Sequence, residues 1–130
     1  MAKAKKIKQL SFVLPNKVGQ LLAVSDLVAA EKVNIKSLLA RESGTSAEFH
    51  LVTDDNAKAS EALGRLNADV RQKDVMLVEL DDKVGTLADA AKKLAEADIN
   101  IEYTYGTTGS GDKAMLVFKT ADDMKAAGLF

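Results

Sequence analysis

Gly19 and Gly85 stand 66 positions apart, and so do Asn34 and Asn100. Each glycine falls where an alternating segment hands over to a helical one. It admits two readings there. A bare backbone permits a tight turn or a positive φ. It also lets a ligand approach the free N–H groups at a helix start, where the helix dipole favours an anion. Each asparagine sits between apolar neighbours, Val33 and Ile35 or Ile99 and Ile101, at the start of a strand, a place where asparagine is depleted. Its amide either closes the turn onto backbone or offers a donor and an acceptor to a zwitterion. Asn16 and Asp82 share the remaining loop position. Both residue types cap helices, and both could reach the polar head of a ligand. Asp82 would favour an ammonium and repel a carboxylate, so two sites built this way would differ in affinity.

The rest of the chemical inventory is thin. There is no cysteine, which excludes disulfides, thiol catalysis and thiolate metal sites. His50 is the single histidine; it alternates with Phe49 and Leu51, has no counterpart in the second half, and reads as a sheet-surface residue, not a base. The acidic pairs Asp54-Asp55, Asp81-Asp82 and Asp122-Asp123 fall at element starts, where helix capping accounts for them. Gly106 to Lys113 has a glycine-rich loop's composition but lacks the Gly-Lys-Ser/Thr ending and precedes a strand, so it reads as a hairpin. Tyr103 and Tyr105 alternate on a strand as core, interface or pocket residues. No cofactor and no metal are expected, and no enzyme.

The elements that would hold these residues are written twice. Leu14-Pro15-Asn16-Lys17-Val18-Gly19-Gln20-Leu21 is answered by Leu80-Asp81-Asp82-Lys83-Val84-Gly85-Thr86-Leu87, the mark of one supersecondary unit used twice. Leu10, Phe12 and Leu14 alternate as a half-buried strand, and Met76, Val78 and Leu80 repeat them. Helical stripes follow at Leu21, Val24 and Val28 and at Leu87, Ala90, Ala91, Leu94 and Ala97. Strands begin at Val33 and Ile99. Hairpin turns are predicted at Ser43–Ser46 and Thr107–Asp112, and third strands after each. A second helix carries Ala59, Ala62, Leu63 and Leu66, and a strand near Val70 closes a β-α-β-β-α-β unit, the ferredoxin-like arrangement. The predicted fold is α+β: two ferredoxin-like units in tandem, residues 7–73 and 74–130, after a basic leader over 1–6. The second unit ends early and should lack its last strand, leaving an edge that a second chain or the tail Leu129-Phe130 would cover.

The 130 residues are 47% hydrophobic and 28% charged, an ordinary globular balance. A net charge of −1 supplies no basic field for nucleic acid, and Lys3, Lys5, Lys6 and Lys8 have no interleaved aromatics. No apolar run is long enough to span a membrane, and no signal segment follows the lysines, so a cytoplasmic location is the default expectation.

The pattern Asn16-Lys17-Val18-Gly19-Gln20-Leu21 followed by Val33-Asn34-Ile35, and its echo Asp82-Lys83-Val84-Gly85-Thr86-Leu87 with Ile99-Asn100-Ile101, resembles the signature of ACT domains. The chain is similar to a small stand-alone tandem ACT protein from about residue 7 onward. The resemblance implies a regulatory, amino-acid-binding fold whose ligands lie at interfaces between units. Carried over, one site uses Asn16, the backbone around Val18, Gly19, Gln20 and Leu21, and Asn34 with Ile35. The other uses Asp82, the backbone around Val84, Gly85, Thr86 and Leu87, and Asn100 with Ile101. It further implies a homodimer and a separate partner enzyme of amino-acid metabolism that receives the signal. The competing expectation is a structural or interaction subunit that pairs with such an enzyme without binding ligand.

Overall fold

The computed structural model describes residues 3–108 and 111–130. Its elements run β1 (Lys3–Pro15), α1 (Gln20–Ala30), β2 (Ile35–Ser43), β3 (Ser46–Thr53), α2 (Asn56–Leu63) with a 3-10 turn at Gly64–Leu66, β4 (Arg71–Asp81), α3 (Thr86–Glu96), β5 (Ile101–Thr108), β6 (Lys113–Thr120) and α4 (Asp123–Ala127). The expected hairpin turn over Thr107–Asp112 includes residues 109 and 110, which lie outside the described residues.

The chain forms two compact units, one of Lys8–Lys73 and one of Asp74–Phe130 together with residues 3–7. In the first, the strand order is β2-β3-β1 and all pairing is antiparallel. Leu10, Phe12 and Leu14 from β1 meet Phe49 and Leu51 from β3, Val24 and Val28 from α1, and Ala59 and Leu63 from α2 in one core. Phe12 and Phe49 are register partners, and their rings stack at 5.2 Å, as cross-strand aromatic pairs do.

In the second unit the order is β5-β6-β4, again antiparallel. Its core joins Met76, Val78 and Leu80 with Ala90, Leu94, Phe118 and Ala126. The repeat extends to irregularities. A register shift interrupts β2 between Ile35 and Ser37 and β5 between Ile101 and Tyr103. Both first helices end with the chain turning through the left-handed region, at Lys32 (φ 59°) and Asp98 (φ 57°). In each, two backbone bonds close the end: Lys32 N–H to Ala29 O with Val33 N–H to Val28 O, and Asp98 N–H to Ala95 O with Ile99 N–H to Leu94 O. That is the Schellman pattern, made here without glycine.

Two expectations change in detail. The basic leader is strand from Lys3 onward, and Ala4 packs on the second unit's core. In the second unit α4 is the last element, and residues 3–7 of β1 lie beside β4 on the side where the repeat's last strand is expected. Leu129 and Phe130 also pack on this core. Second, the buried stripes of α1 and α3 begin one residue earlier than the apolar pattern suggests. Gln20, Val24 and Val28 are buried, and Leu21 is 49% exposed; Ala90 and Leu94 are buried, and Leu87 is 52% exposed. The i, i+4 spacing starts from polar Gln20 and Thr86 because their side chains are tied inward.

Candidate functional site

That tie is a hydrogen bond to the end of the preceding strand. The Gln20 Nε2 amide donates to Pro15 O at 2.7 Å, and the Thr86 hydroxyl donates to Asp81 O at 2.7 Å. Different residue types thus perform one task at one position of the repeat. Between strand and helix, Gly19 holds φ 90° and Gly85 φ 92°, a left-handed conformation that costs other residues roughly 1–2 kcal/mol. A Cβ at either position would meet nothing within 4 Å, so the requirement for glycine comes from φ and not from crowding.

Both glycines are the N-cap residues of their helices, and neither helix start has a side-chain cap. The amides that do find carbonyls are Gln20 to Lys17 (3.4 Å) and Ala23 to Gly19 (3.0 Å), and in the second copy Thr86 to Lys83 (3.3 Å) and Asp89 to Gly85 (3.0 Å). The N–H groups between them, of Leu21 and Leu22 and of Leu87 and Ala88, are first-turn donors that a helix cannot satisfy internally. By contrast α2 and α4 are capped. Asp55 accepts from Lys58 N–H and Asp122 from Lys125 N–H. The other member of each acidic pair works on the neighbouring strand: Asp54 accepts from Asn34 N–H, and Asp123 accepts from Thr120 N–H and Oγ1.

The side chains flanking the two openings have distinct placements. Asn16 does not cap α1; its Nδ2 donates to Gly44 O at 3.2 Å, pinning the loop to the β2–β3 turn. Asp82 does not cap α3 either, and its N–H donates to Asp112 O. Asn34 and Asn100 are exposed. Their main chains close the sheet end, Asn34 O accepting from Asp54 N–H and Asn100 O from Ala121 N–H, so the backbone, and not the amide side chain, makes that turn. Ile35 and Ile101 are half-buried and pack inward. Val18 and Val84 are fully exposed at the loop tips.

The two openings differ electrostatically. The first turn of α1 has no acidic residue, whereas that of α3 carries Asp89. Asp81, at the base of the second loop, is ion-paired with Lys113, whose ammonium holds its carboxyl well below the usual carboxylate range. A cavity of about 470 Å³ opens beside Thr86, with Leu80, Ala90, Lys93 and Phe130 among its lining residues, and Lys93 Nζ stands 5.2 Å from the Phe130 ring centroid. That volume falls within the range of small-molecule pockets, roughly 300–1,000 Å³.

A third constellation was not foreseen. His50 does lie on the sheet face opposite Phe49 and Leu51, but it is only 8% exposed. Its Nδ1 is 2.9 Å from Ser11 Oγ and 3.2 Å from Gln9 Nε2, and Gln9 Nε2 donates to Ser11 Oγ at 3.0 Å. Burial pushes the imidazole below its ordinary pKa; Glu48 opposes this, and Lys73 and Arg41 reinforce it. The available signal was the run Gln9, Ser11 on alternate positions of β1, facing His50 across the ladder. No group of three or more metal-ligating side chains occurs among the described residues, and no helix among them is long and apolar enough to cross a membrane.

Comparison with known proteins agrees with this architecture. The family model for an ACT domain pair matches residues 5–129. Among solved structures, a protein from Bacteroides thetaiotaomicron superposes with a TM-score of 0.89 at 28% identity, covering 97% of this chain and 87% of that one. The ligand-free regulatory subunit of aspartate kinase from Thermus thermophilus gives a TM-score of 0.69 at 15% identity, with coverage of 94% and 89%. The corresponding subunit from Thermus flavus gives 0.64 at 17%, with coverage of 96% and 92%. No curated protein matches the sequence. With a doubled strand–Gly–helix–strand unit and a family match over nearly its whole length, the chain belongs to the family of ACT domain pairs.

Proposed function

We propose that this protein is a non-catalytic regulatory amino-acid sensor. Its ligand's carboxylate is received by the uncapped helix starts after Gly19 and Gly85, and the bound state is read by a separate partner protein. The observation that carries this reading is the contrast between helices. The chain caps α2 and α4 with aspartates and leaves α1 and α3 open at the same place in both copies. Open amides at a helix start suit an anion, and the exposed Asn34 and Asn100 supply neutral donors and acceptors to the rest of a zwitterion. The regulatory role of the Thermus subunits, which share the fold, supports an output passed to an enzyme such as a kinase of amino-acid metabolism. Asp89 beside the second opening makes the first the tighter site for a carboxylate.

The exposed Val18 with Leu21 and Leu22 of the first turn of α1, and Val84 with Leu87 of the first turn of α3, favour a further element of the proposal. These apolar tips are covered in use, by ligand together with a second copy of the chain. The same tips are what an interaction subunit without ligand would present to its enzyme, the alternative reading.

A thermal-shift screen of the twenty amino acids on protein refolded from denaturant separates them. A binder at 100 times its dissociation constant adds about 2.7 kcal/mol of stability, and one chemical class should raise the melting temperature, less so in Asn34→Ala and Asn100→Ala. A flat panel on folded protein favours the interaction subunit.

A further inference from the structure

On the sheet face away from the helices, the unit Lys8–Lys73 holds a cavity of about 280 Å³ over Ser11 and His50, walled by Val13 and rimmed by Glu48, Asp69, Arg71 and Lys73. Its floor is polar yet buried: Ser11 is 6% and His50 8% exposed, and Gln9, which bonds to both from outside the cavity, is 0% exposed. Buried polar side chains on a sheet surface need a reason, since an aliphatic side chain there would avoid their desolvation. The floor is also oriented. An amide nitrogen only donates, so Gln9 Nε2 donates to Ser11 Oγ, and His50 Nδ1 stands within hydrogen-bond reach of both groups.

The four charges at the rim balance in number, but Arg41, which lies outside the rim, engages one of the two carboxylates. Glu48 is ion-paired with Arg41, and Asp69 with Arg71 at 2.9 Å. Lys73 has no ion pair among the described residues, so it is the rim cation left to meet an anion. Val13, 53% exposed, gives an apolar wall next to that charge. We propose that this cavity is a separate ligand site for a small organic monoanion, its carboxylate on Lys73 above the Ser11–His50 floor and its short aliphatic part against Val13. It lies outside the helix-start openings and would give the protein a second chemical input.

His50 is the only histidine in the chain, so its ring resonances report on the cavity without ambiguity. The probe is isobutyrate, titrated at constant ionic strength and constant pH, with the His50 ring protons and the Ser11 and Val13 amides followed by NMR. The expected result is a saturable shift of all three. In Lys73→Gln the apparent affinity falls roughly tenfold or more, the usual size of a lost charged hydrogen bond, while the surface control Lys58→Gln keeps it. Inorganic phosphate, which has the charge without the aliphatic part, gives no saturable shift. A linear response, an unchanged affinity in Lys73→Gln, or an equal response to phosphate overturns the proposal, and none of these bears on the helix-start sites.

Discussion

At the scale of residues, His50 is where the polar network of the first unit becomes measurable. Burial holds the imidazole neutral, and the facing cations Lys73 and Arg41 act in the same direction against the pull of Glu48. The folded state therefore binds fewer protons at this ring than the unfolded chain, whose histidine titrates near 6.5. The stabilising contribution is complete above that value. It is lost as the pH falls through it towards the lower folded pKa, at no more than about 1.4 kcal/mol per pH unit. Urea unfolding midpoints should drop between pH 7 and pH 5.5 in the native protein, with a shallower dependence in His50→Gln; identical slopes would show that His50 is not held neutral. Sequence reading placed His50 on the right face and misjudged its burial. Alternation gives the face of a strand residue, but whether that face is covered depends on long neighbours such as Gln9 on adjacent strands.

At the scale of elements, the repeat was legible because it is local. Strand alternation, the glycine at the handover and the helical spacing follow one another directly along the chain, from Leu10 to Val28 and from Met76 to Ala97. The start of each buried stripe was not legible. Leu21 and Leu87 look like core positions by type, yet Gln20 and Thr86 take the inward place because each bonds the carbonyl at the end of the preceding strand. A hydropathy pattern cannot see a bond to backbone. The capping role expected of Asn16 and Asp82 failed for a related reason: the left-handed glycine three residues later is already the cap, which sends the Asn16 amide to Gly44 instead. The helix ends carry a prediction of their own. Lys32 and Asp98 hold a left-handed conformation that suits glycine. Lys32→Gly and Asp98→Gly should each raise stability by up to about 1 kcal/mol, the relieved backbone cost less the added chain entropy. Denaturant melts of the single variants check this; a loss of stability in both would mean that the long side chains matter more than the backbone there.

At the scale of the whole molecule, the first strand serves in both compact units. Residues 3–7 group with Asp74–Phe130 and residues from Lys8 on with the first unit, while β1 itself is one strand from Lys3 to Pro15. Alternating lysine and alanine carries no apolar stripe to mark residues 3–7 as strand, and β4, the strand that they join, lies some seventy positions away. Deleting residues 1–7 should leave the core of the first unit protected and expose β4 on one side. Hydrogen exchange should quicken at amides of Met76 to Leu80 in the shortened chain; unchanged exchange there would show that the N-terminal stretch contributes nothing to the second unit.

A carboxylate received by the open helix starts would be felt first by their backbone amides. The most direct measurement follows the backbone amides of Leu21, Leu22, Leu87 and Ala88 by NMR while adding the amino acid identified by thermal shift, and then its α-carboxamide, which lacks the negative charge. Large, saturable shifts are expected at these four amides with the amino acid, at lower concentration for Leu21 and Leu22 than for the Asp89-flanked pair, with little response to the carboxamide. Equal binding of the carboxamide, or shifts that bypass both helix starts, would contradict it.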